Sequence, residues 1–145
     1  MKLVLDTVVL IRALMGPMGP QGRLVFDPAL DFEWIAFPDI VSEYQDVLSR
    51  PQLRRRFRQL ADRGMVRLTE RLTRATIVVP TAVPRVCRDP HDDMFLSAAL
   101  AGGADAIVSE DRDLLSLKTY EGITICAAQT MIAVLARREE RDPTT

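Results

Sequence analysis

Five acidic side chains stand where apolar segments of this 145-residue chain begin or end. Asp6 closes an apolar run, Glu43 borders an apolar helical stripe and Asp93 opens another apolar helix. Asp111 and Asp113 follow an apolar strand. Carboxylates that are brought together repel one another and lose hydration, so a fold that gathers them normally does so around a divalent cation. This placement predicts a metal-dependent hydrolase of phosphodiester bonds.

The elements that would position these acids alternate between short β-branched runs and longer helical ones, a pattern typical of βαβ units around a parallel sheet. Predicted strands cover residues 2–5, 34–37, 76–79, 106–108 and 123–126. These strands are continuously apolar, which fits a sheet covered on both faces. Ligands of such sheets bind beyond the carboxyl ends of the strands. Because Asp6 and Asp111 each follow a strand, we expect both at one edge of the sheet.

Helical patterns fill the segments between the strands. They cover residues 23–30, 39–49, 52–62, 65–75 and 127–138, and a further helix starts at Asp89-Pro90 and stops at Gly102-Gly103. Gly64 is expected to separate two of them, because glycine disfavours a helix interior. Residues 1–138 are long enough to form a single domain with its own core. The charged, proline-containing tail 139–145 is expected to fray.

Each acid taken alone has a second explanation. Asp6 could serve only as a helix cap, and Glu43 could extend into solvent. Asp92 could interact with the dipole of the helix that follows it, and residues 109–113 could form a polar turn with capping acids. Asp92 and Asp93 diverge by about 100° around a helix, so the two need not both reach one ion.

Composition sets the general class of the protein. An apolar fraction of 48% and a charged fraction of 27% are those of a soluble globular protein. No apolar run approaches the roughly 20 residues that span a bilayer, and Asp6 comes too early for a secretory signal, so we expect a cytoplasmic protein with no membrane partner. Cys87 and Cys126 are too few and too far apart for a zinc site and are expected to be buried thiols.

The net charge of −1 conceals a basic segment. Nine of the 19 basic residues lie between Arg50 and Arg74, against only two acidic residues. Within it, Arg67, Arg71 and Arg74 recur at helical spacing and could contact nucleic-acid phosphates while acids elsewhere hold a metal. A solvated helix face and a docking surface for an acidic protein partner explain the same stripe.

Together the motifs resemble those of the PIN-domain family, in particular the VapC-type toxins of bacterial toxin–antitoxin systems. The resemblance runs through residues 3–7, Glu43, residues 89–99 and residues 102–114, and so covers almost the whole chain. It implies an α/β fold, a Rossmann-like α/β/α sandwich with a central parallel sheet. It also implies a ribonuclease that depends on Mg²⁺ or Mn²⁺.

The resemblance further implies roles for individual residues and partners. The catalytic and metal-binding quartet would be Asp6, Glu43, Asp93 and Asp111, with Asp113 near the metal and Asp92 and Ser109 as auxiliary groups. Asp93 is preferred to Asp92 because the family's acid directly precedes the apolar, alanine-rich helix. The implied partners are an RNA substrate, a second copy of the chain in a homodimer, and a cognate antitoxin protein.

One position departs from the family pattern. Val8 stands where the usual Asp-Thr-Asn or Asp-Ser-Asn motif has an amide. This difference supports a second hypothesis, a catalytically weak or inactive PIN-like module that binds RNA or protein. A third, a phosphatase or receiver-type acidic pocket, is weakened because a phosphotransfer phosphatase would carry an acid two residues after Asp6. His91, the only histidine, is interpreted as a surface residue rather than a base.

Overall fold

The computed structural model of the chain describes residues 1–56 and 58–141; the side chains of residues 54, 56 and 58–62 fall outside that description. The described residues form one six-stranded sheet in the order β3-β2-β1-β4-β6-β5. Its strands are β1 (Lys2–Leu5), β2 (Glu33–Ala36), β3 (Thr76–Ile77), β4 (Ala106–Val108), β5 (Thr119–Tyr120) and β6 (Ile123–Cys126). All neighbouring strands pair in parallel except β5 and β6, which are antiparallel.

Helices connect the strands and pack against the sheet. They are α1 (Thr7–Met15), α2 (Pro20–Phe26), α3 (Pro38–Leu48), α4 (Pro51–Arg56), α5 (Arg58–Thr73), α6 (Asp93–Gly102), α7 (Arg112–Leu117) and α8 (Ala128–Arg141). Helix α1 contacts α2, α3 and α5, whereas α6 packs on β1, β2 and β4. The predicted α/β fold with a central parallel sheet is confirmed, and the antiparallel β5 makes this sheet mostly rather than wholly parallel. Across the described ranges, none of these helices is both long and apolar enough to cross a membrane.

The core is built on the two central strands. Leu3, Val4 and Leu5 of β1 have no solvent exposure, and neither do Ile107 and Val108 of β4. Successive residues of a strand point to opposite faces, so uninterrupted burial means that both faces of the sheet are covered. The continuous apolar character of these strands, which predicted this arrangement, therefore follows from their central position.

The prediction of a helix break at Gly64 is wrong. Helix α5 runs uninterrupted through that position. A Cβ atom on Gly64 would lie 2.6 Å from Cδ2 of Leu14 in α1. The glycine therefore permits close approach of two helices, and this packing requirement accounts for a residue that local propensity assigns to a helix end.

Other element boundaries also shift. Helix α6 starts at Asp93 rather than at Asp89-Pro90, because the preceding residues form a turn in which the amide of Asp92 donates to the carbonyl of Asp89 at 3.0 Å. Its end at the pair Gly102 and Gly103 is confirmed, with Gly103 in the left-handed conformation at φ 62°. The short elements β5 and α7 were not predicted. Helix α8 continues to Arg141, and residues 142–145 lie outside the described residues.

Gly22 offers a test of the packing between α2 and the loop before it. A Cβ atom at Gly22 would lie 2.2 Å from the carbonyl oxygen of Pro17, so Gly22→Ala should lower the free energy of unfolding by about 2–3 kcal/mol. Gly16→Ala is the matched control, since its Cβ would approach nothing closer than 3.8 Å. Urea denaturation measures both variants. Equal stability of the two would contradict this close contact.

Candidate metal centre

Asp6 occupies the carboxyl end of β1, where the pairing of β1 with β4 fixes its backbone. Its amide donates to the carbonyl of Val108 at 3.0 Å, which extends the ladder by one bond. Its carboxylate caps α1 by accepting from the amide of Val9 at 2.9 Å. The other carboxylate oxygen accepts from the hydroxyl of Ser109 and from the amide of Glu110 at 3.2 Å. The capping role and the position in an acidic site therefore coexist in one residue.

The environment of Asp6 penalises its negative charge. The residue is only 4% exposed, and this burial raises the pKa of its carboxyl group. Hydrogen bonds from Ser109, Val9 and Glu110 lower the pKa in part, while the nearby charge of Asp111 raises it further. A cation beside these two acids would relieve both the desolvation and the repulsion.

Three carboxylates converge next to Asp6. Asp92, Asp111 and Asp113 each offer an oxygen, and these oxygens all lie within 4.8 Å of one another. Asp111 caps α7 by accepting from the amide of Asp113 at 2.7 Å, and its own amide donates to the hydroxyl of Ser109 at 2.9 Å. This set, which we call the acidic cluster, supplies the hard oxygen ligands that Mg²⁺ and Mn²⁺ prefer.

The protonation of Asp92 reflects this crowding. Burial, followed by the charges of Asp111, Asp89, Asp113 and Asp6, together raise the pKa of Asp92 to about 6. The contribution of Asp6 shows that the end of β1 and the acidic cluster belong to one electrostatic site. An additional positive charge at this place would favour the ionised form of every member.

Asp93 is engaged differently from Asp92. It is 2% exposed, and one of its carboxylate oxygens accepts from the amides of Val86 at 3.1 Å and Cys87 at 2.8 Å. It thereby attaches the extended segment before α6 to the start of that helix. The structure thus brings Asp92 into the acidic cluster and gives Asp93 an anchoring role, and metal binding by Asp93 stays a prediction.

The two cysteines are free, and both are only partly buried. Burial raises the pKa of Cys87 to about 12, with its hydrogen bond to Asp93 and the charges of Asp93, Asp92 and Asp111 as further causes. The thiol of Cys87 is therefore protonated at neutral pH, which makes it a poor nucleophile beside the acidic cluster.

Glu43 contacts two other residues near the end of β1. Its carboxylate accepts from the hydroxyl of Thr7 at 2.7 Å and contacts Nε2 of His91. The Glu43 side chain is 16% exposed, so it does not extend into solvent, whereas that of His91 is 59% exposed. Glu43 therefore links α3 to the start of α1 and to the turn before α6, without joining the three converging oxygens.

Two residues at this edge were not identified from the sequence. One oxygen of Glu110 accepts from the side-chain amide of Gln21 and from the backbone amide of Ala128, each at 3.2 Å, which joins α2 and α8 to the site. The buried hydroxyl of Tyr44 donates to the carbonyl of Leu5, the last residue of β1. Glu110 lies inside the acidic run 109–113 and could have been considered. Tyr44 lies on the apolar face of α3, where no sequence signal distinguishes it from core.

The arginine stripe lies away from the acidic cluster. Arg67 stacks on the ring of Phe26 at 4.6 Å and donates to its carbonyl at 3.1 Å. Arg71 makes the same two contacts with Phe32, at 4.5 and 3.4 Å. Phe32 immediately precedes β2, and so lies at the sheet edge opposite to Asp6. The structure does not bring these arginines or Arg74 to the acids, and their role in nucleic-acid binding stays a prediction.

The anchoring role of Asp93 can be measured as stability. Asp93→Ala leaves the amides of Val86 and Cys87 without their acceptor, and we expect the free energy of unfolding to fall by about 2–4 kcal/mol. Asp93→Asn retains a carbonyl oxygen and should lose less than half of that amount. Urea denaturation without divalent metal compares the two, and unchanged stability of Asp93→Ala would contradict the anchoring role.

The pKa of Asp92 predicts a pH dependence. Because the folded-state pKa of about 6 lies above the ordinary aspartate value of 3.8, the folded chain binds the proton more tightly than the unfolded chain. The stabilisation from this proton is present below the unfolded pKa and is lost as the pH rises through the folded pKa. Asp92→Asn should therefore gain stability over the wild type as the pH is raised across this window. A pH-independent difference in metal-free urea denaturation would contradict this.

Comparison with known proteins agrees with the geometry. The chain is 31% identical over 119 residues to the uncharacterized protein MJ1680 of Methanocaldococcus jannaschii, a match that covers 81% of this chain and 75% of the relative. The fold is similar to the crystal structure of PAE2754 from Pyrobaculum aerophilum, with a TM-score of 0.55, 17% identity, and coverage of 94% and 90% of the two chains. Residues 2–113 match the PIN domain family. The chain therefore belongs to the PIN domain family.

Proposed function

We propose that this protein is a metal-dependent ribonuclease that hydrolyses RNA phosphodiester bonds. The observation that carries the proposal is the convergence of Asp92, Asp111 and Asp113 beside Asp6, in a fold whose members are generally metal-dependent nucleases. Asp6 and Asp111 each cap a helix through one oxygen, but capping alone does not require four carboxylates to lie close together against their mutual repulsion. Their chemistry fits Mg²⁺ or Mn²⁺.

Different residues of the chain would hold the metal and offer a further ligand position at such a site. When bound, Mg²⁺ or Mn²⁺ supplies a water of lowered pKa and neutralises charge that develops on the phosphate. Asp92, Asp111 and Asp113 would hold the ion. A carboxylate has about four lone-pair positions, and Asp6 uses three for Val9, Ser109 and Glu110, so one remains for a ligand. The three donors fix the orientation of Asp6 before any ligand binds.

The biological role of the proposed nuclease rests on its sequence motifs. Their likeness to those of VapC-type proteins supports a toxin component of a toxin–antitoxin system that acts in the cytoplasm as a homodimer. A cognate antitoxin would then block the edge of the sheet that carries the acidic cluster.

Val8 favours a second candidate, a PIN-like module that binds RNA without efficient cleavage. The residue is 38% exposed in the first turn of α1, two residues after Asp6. An apolar side chain at this rim offers no hydrogen bond to a phosphate or to a bound water, whereas the amide of the family motif does. The acids themselves are retained.

Cleavage of RNA tests the first candidate against the second. We expect the purified protein to cut a mixed cellular RNA pool with Mn²⁺ and not with chelator. Asp111→Asn should lower the rate by more than about 100-fold, since even outer-shell changes at metal sites cost 10–100-fold. Asp46→Asn, the same change at an exposed position of α3, is the matched control. Gel analysis of the products reports the rates.

Three results would overturn the nuclease proposal. Cleavage that persists in chelator, or that Asp111→Asn leaves intact, would show that the acidic cluster does not carry the reaction. If no RNA is cut although the wild type binds Mn²⁺ and Asp111→Asn does not, the binding module replaces the nuclease. Val8→Asn is then the first variant to assay for restored cleavage.

A further inference from the structure

An acidic edge repels a polyanion, so a nucleic acid needs a cation close to the acidic cluster. The arginine stripe of α5 does not serve this purpose, because Arg67 and Arg71 stack on Phe26 and Phe32, and Phe32 lies at the opposite edge. Among the described residues, Arg12 and His91 are the ionisable cationic groups within 4.0 Å of a carboxylate at this edge. His91 is paired directly with Glu43, so Arg12 is the better candidate of these two.

The guanidinium of Arg12 is held only loosely by the protein. Its Nη1 lies 3.8 Å from Oε2 of Glu110, beyond hydrogen-bond distance, and the side chain is 53% exposed. The other oxygen of Glu110 is already used by Gln21 and Ala128. Glu110 therefore biases the position of Arg12 electrostatically and leaves its donors available to a ligand.

The position of Arg12 along α1 indicates which phosphate it would meet. Six residues separate it from Asp6, which corresponds to about 9 Å along the helix axis. The backbone of Arg12 is thus offset along α1 from Asp6, which favours contact with a phosphate adjacent to one at the acidic cluster. A longer strand that enters over α1 would place a neighbouring phosphate there.

Apolar side chains flank Arg12 on the same exposed face. Val8 lies four residues before it and Met15 three residues after it, so the three share one side of α1. Val8 is 38% exposed and Met15 is 41% exposed. A duplex would present phosphates to this face but keep its bases stacked inside, and the two apolar groups would find no partner. A single strand offers both phosphates and the faces of unstacked bases.

We infer that the exposed face of α1 formed by Val8, Arg12 and Met15 is a track for single-stranded RNA, in which Arg12 binds a phosphate next to the one at the acidic cluster. This inference rests on the proposed function, which supplies RNA as the substrate, and adds the surface that binds this RNA. It also gives Val8 a role: its apolar surface meets a base or a ribose.

The test measures RNA binding and cleavage separately. Anisotropy of a fluorescent single-stranded 12-mer RNA is recorded in Ca²⁺ across a range of salt concentrations. Arg12→Gln should weaken binding about 5–10-fold and reduce the magnitude of the salt slope by about 0.7, the value of one phosphate contact on a single strand. Arg12→Lys should keep the slope. Arg137→Gln, an exposed arginine of α8, is the matched control and should change neither.

The apolar positions give an independent measurement. Val8→Ser/Met15→Ser should weaken binding of the single strand about 5-fold without changing the salt slope, because no charge is lost. A 12-base-pair RNA duplex should bind the wild type more weakly, and the double variant should not alter its affinity. In the cleavage assay with Mn²⁺, Arg12→Gln should raise KM and leave kcat unchanged. Urea denaturation confirms that each variant is folded.

The binding and cleavage results distinguish failure of the RNA track from failure of the nuclease proposal. If the wild type binds the single strand with the expected Arg12 dependence but cuts nothing, the track stands and the nuclease fails. If the wild type cuts RNA and Arg12→Gln changes neither affinity nor salt slope, the nuclease stands and the track is wrong. Equal loss of duplex and single-strand binding in the apolar double variant would also overturn it. Absence of both RNA binding at low salt and cleavage with Mn²⁺ would overturn both.

Discussion

Parallel pairing of β1 with β4 is the constraint on which the site depends. The register sets Leu5 opposite Val108, and one further bond joins the amide of Asp6 to the Val108 carbonyl. Two strand ends that are about 100 residues apart in the chain thereby come to lie side by side. Because side chains after parallel strands emerge at one edge, the acids that follow β1 and β4 must share a small volume.

Bringing these acids together raises the free energy of their ionised forms, and the surrounding structure offsets this cost only in part. Desolvation and mutual repulsion raise the pKa values of Asp6 and Asp92. Donors from Ser109, Val9 and Glu110 stabilise the charge of Asp6, while Asp92 is left with its neighbours' repulsion. Folded proteins tolerate such local conflict mainly where function requires it. A bound cation would convert the repulsion into coordination.

The same edge shows how structural and functional roles combine in single residues. Asp6 and Asp111 each cap a helix through one oxygen while the rest of the carboxylate faces the site. Asp93 ties the segment before α6 to that helix, and Glu110 joins α2 and α8 to the end of β4. Backbone amides thus hold several of these carboxylates in place, alongside side-chain donors such as Ser109, which favours a preorganised geometry.

Local sequence was sufficient for the elements whose signal is strong over a short span. Apolar β-branched runs located β1, β4 and β6 at their observed bounds, because burial on both faces demands that composition. Acids at the ends of such runs identified the edge of the sheet where chemistry is expected. The break assigned to Gly64 failed, since contact with Leu14 of another helix outweighed local propensity there.

The sequence by itself determined the fold class and the set of acids from which a metal centre can be built. Only the tertiary structure decided which of them converge. The choice between Asp92 and Asp93 depends on the rotation of α6 against the end of β4, and sequence spacing gives no absolute rotation. The positions of the Arg67 and Arg71 side chains likewise depend on which phenylalanine rings the folded chain places against them. Contacts between residues far apart in the chain settle both, because side-chain direction is fixed by packing rather than by the neighbouring sequence.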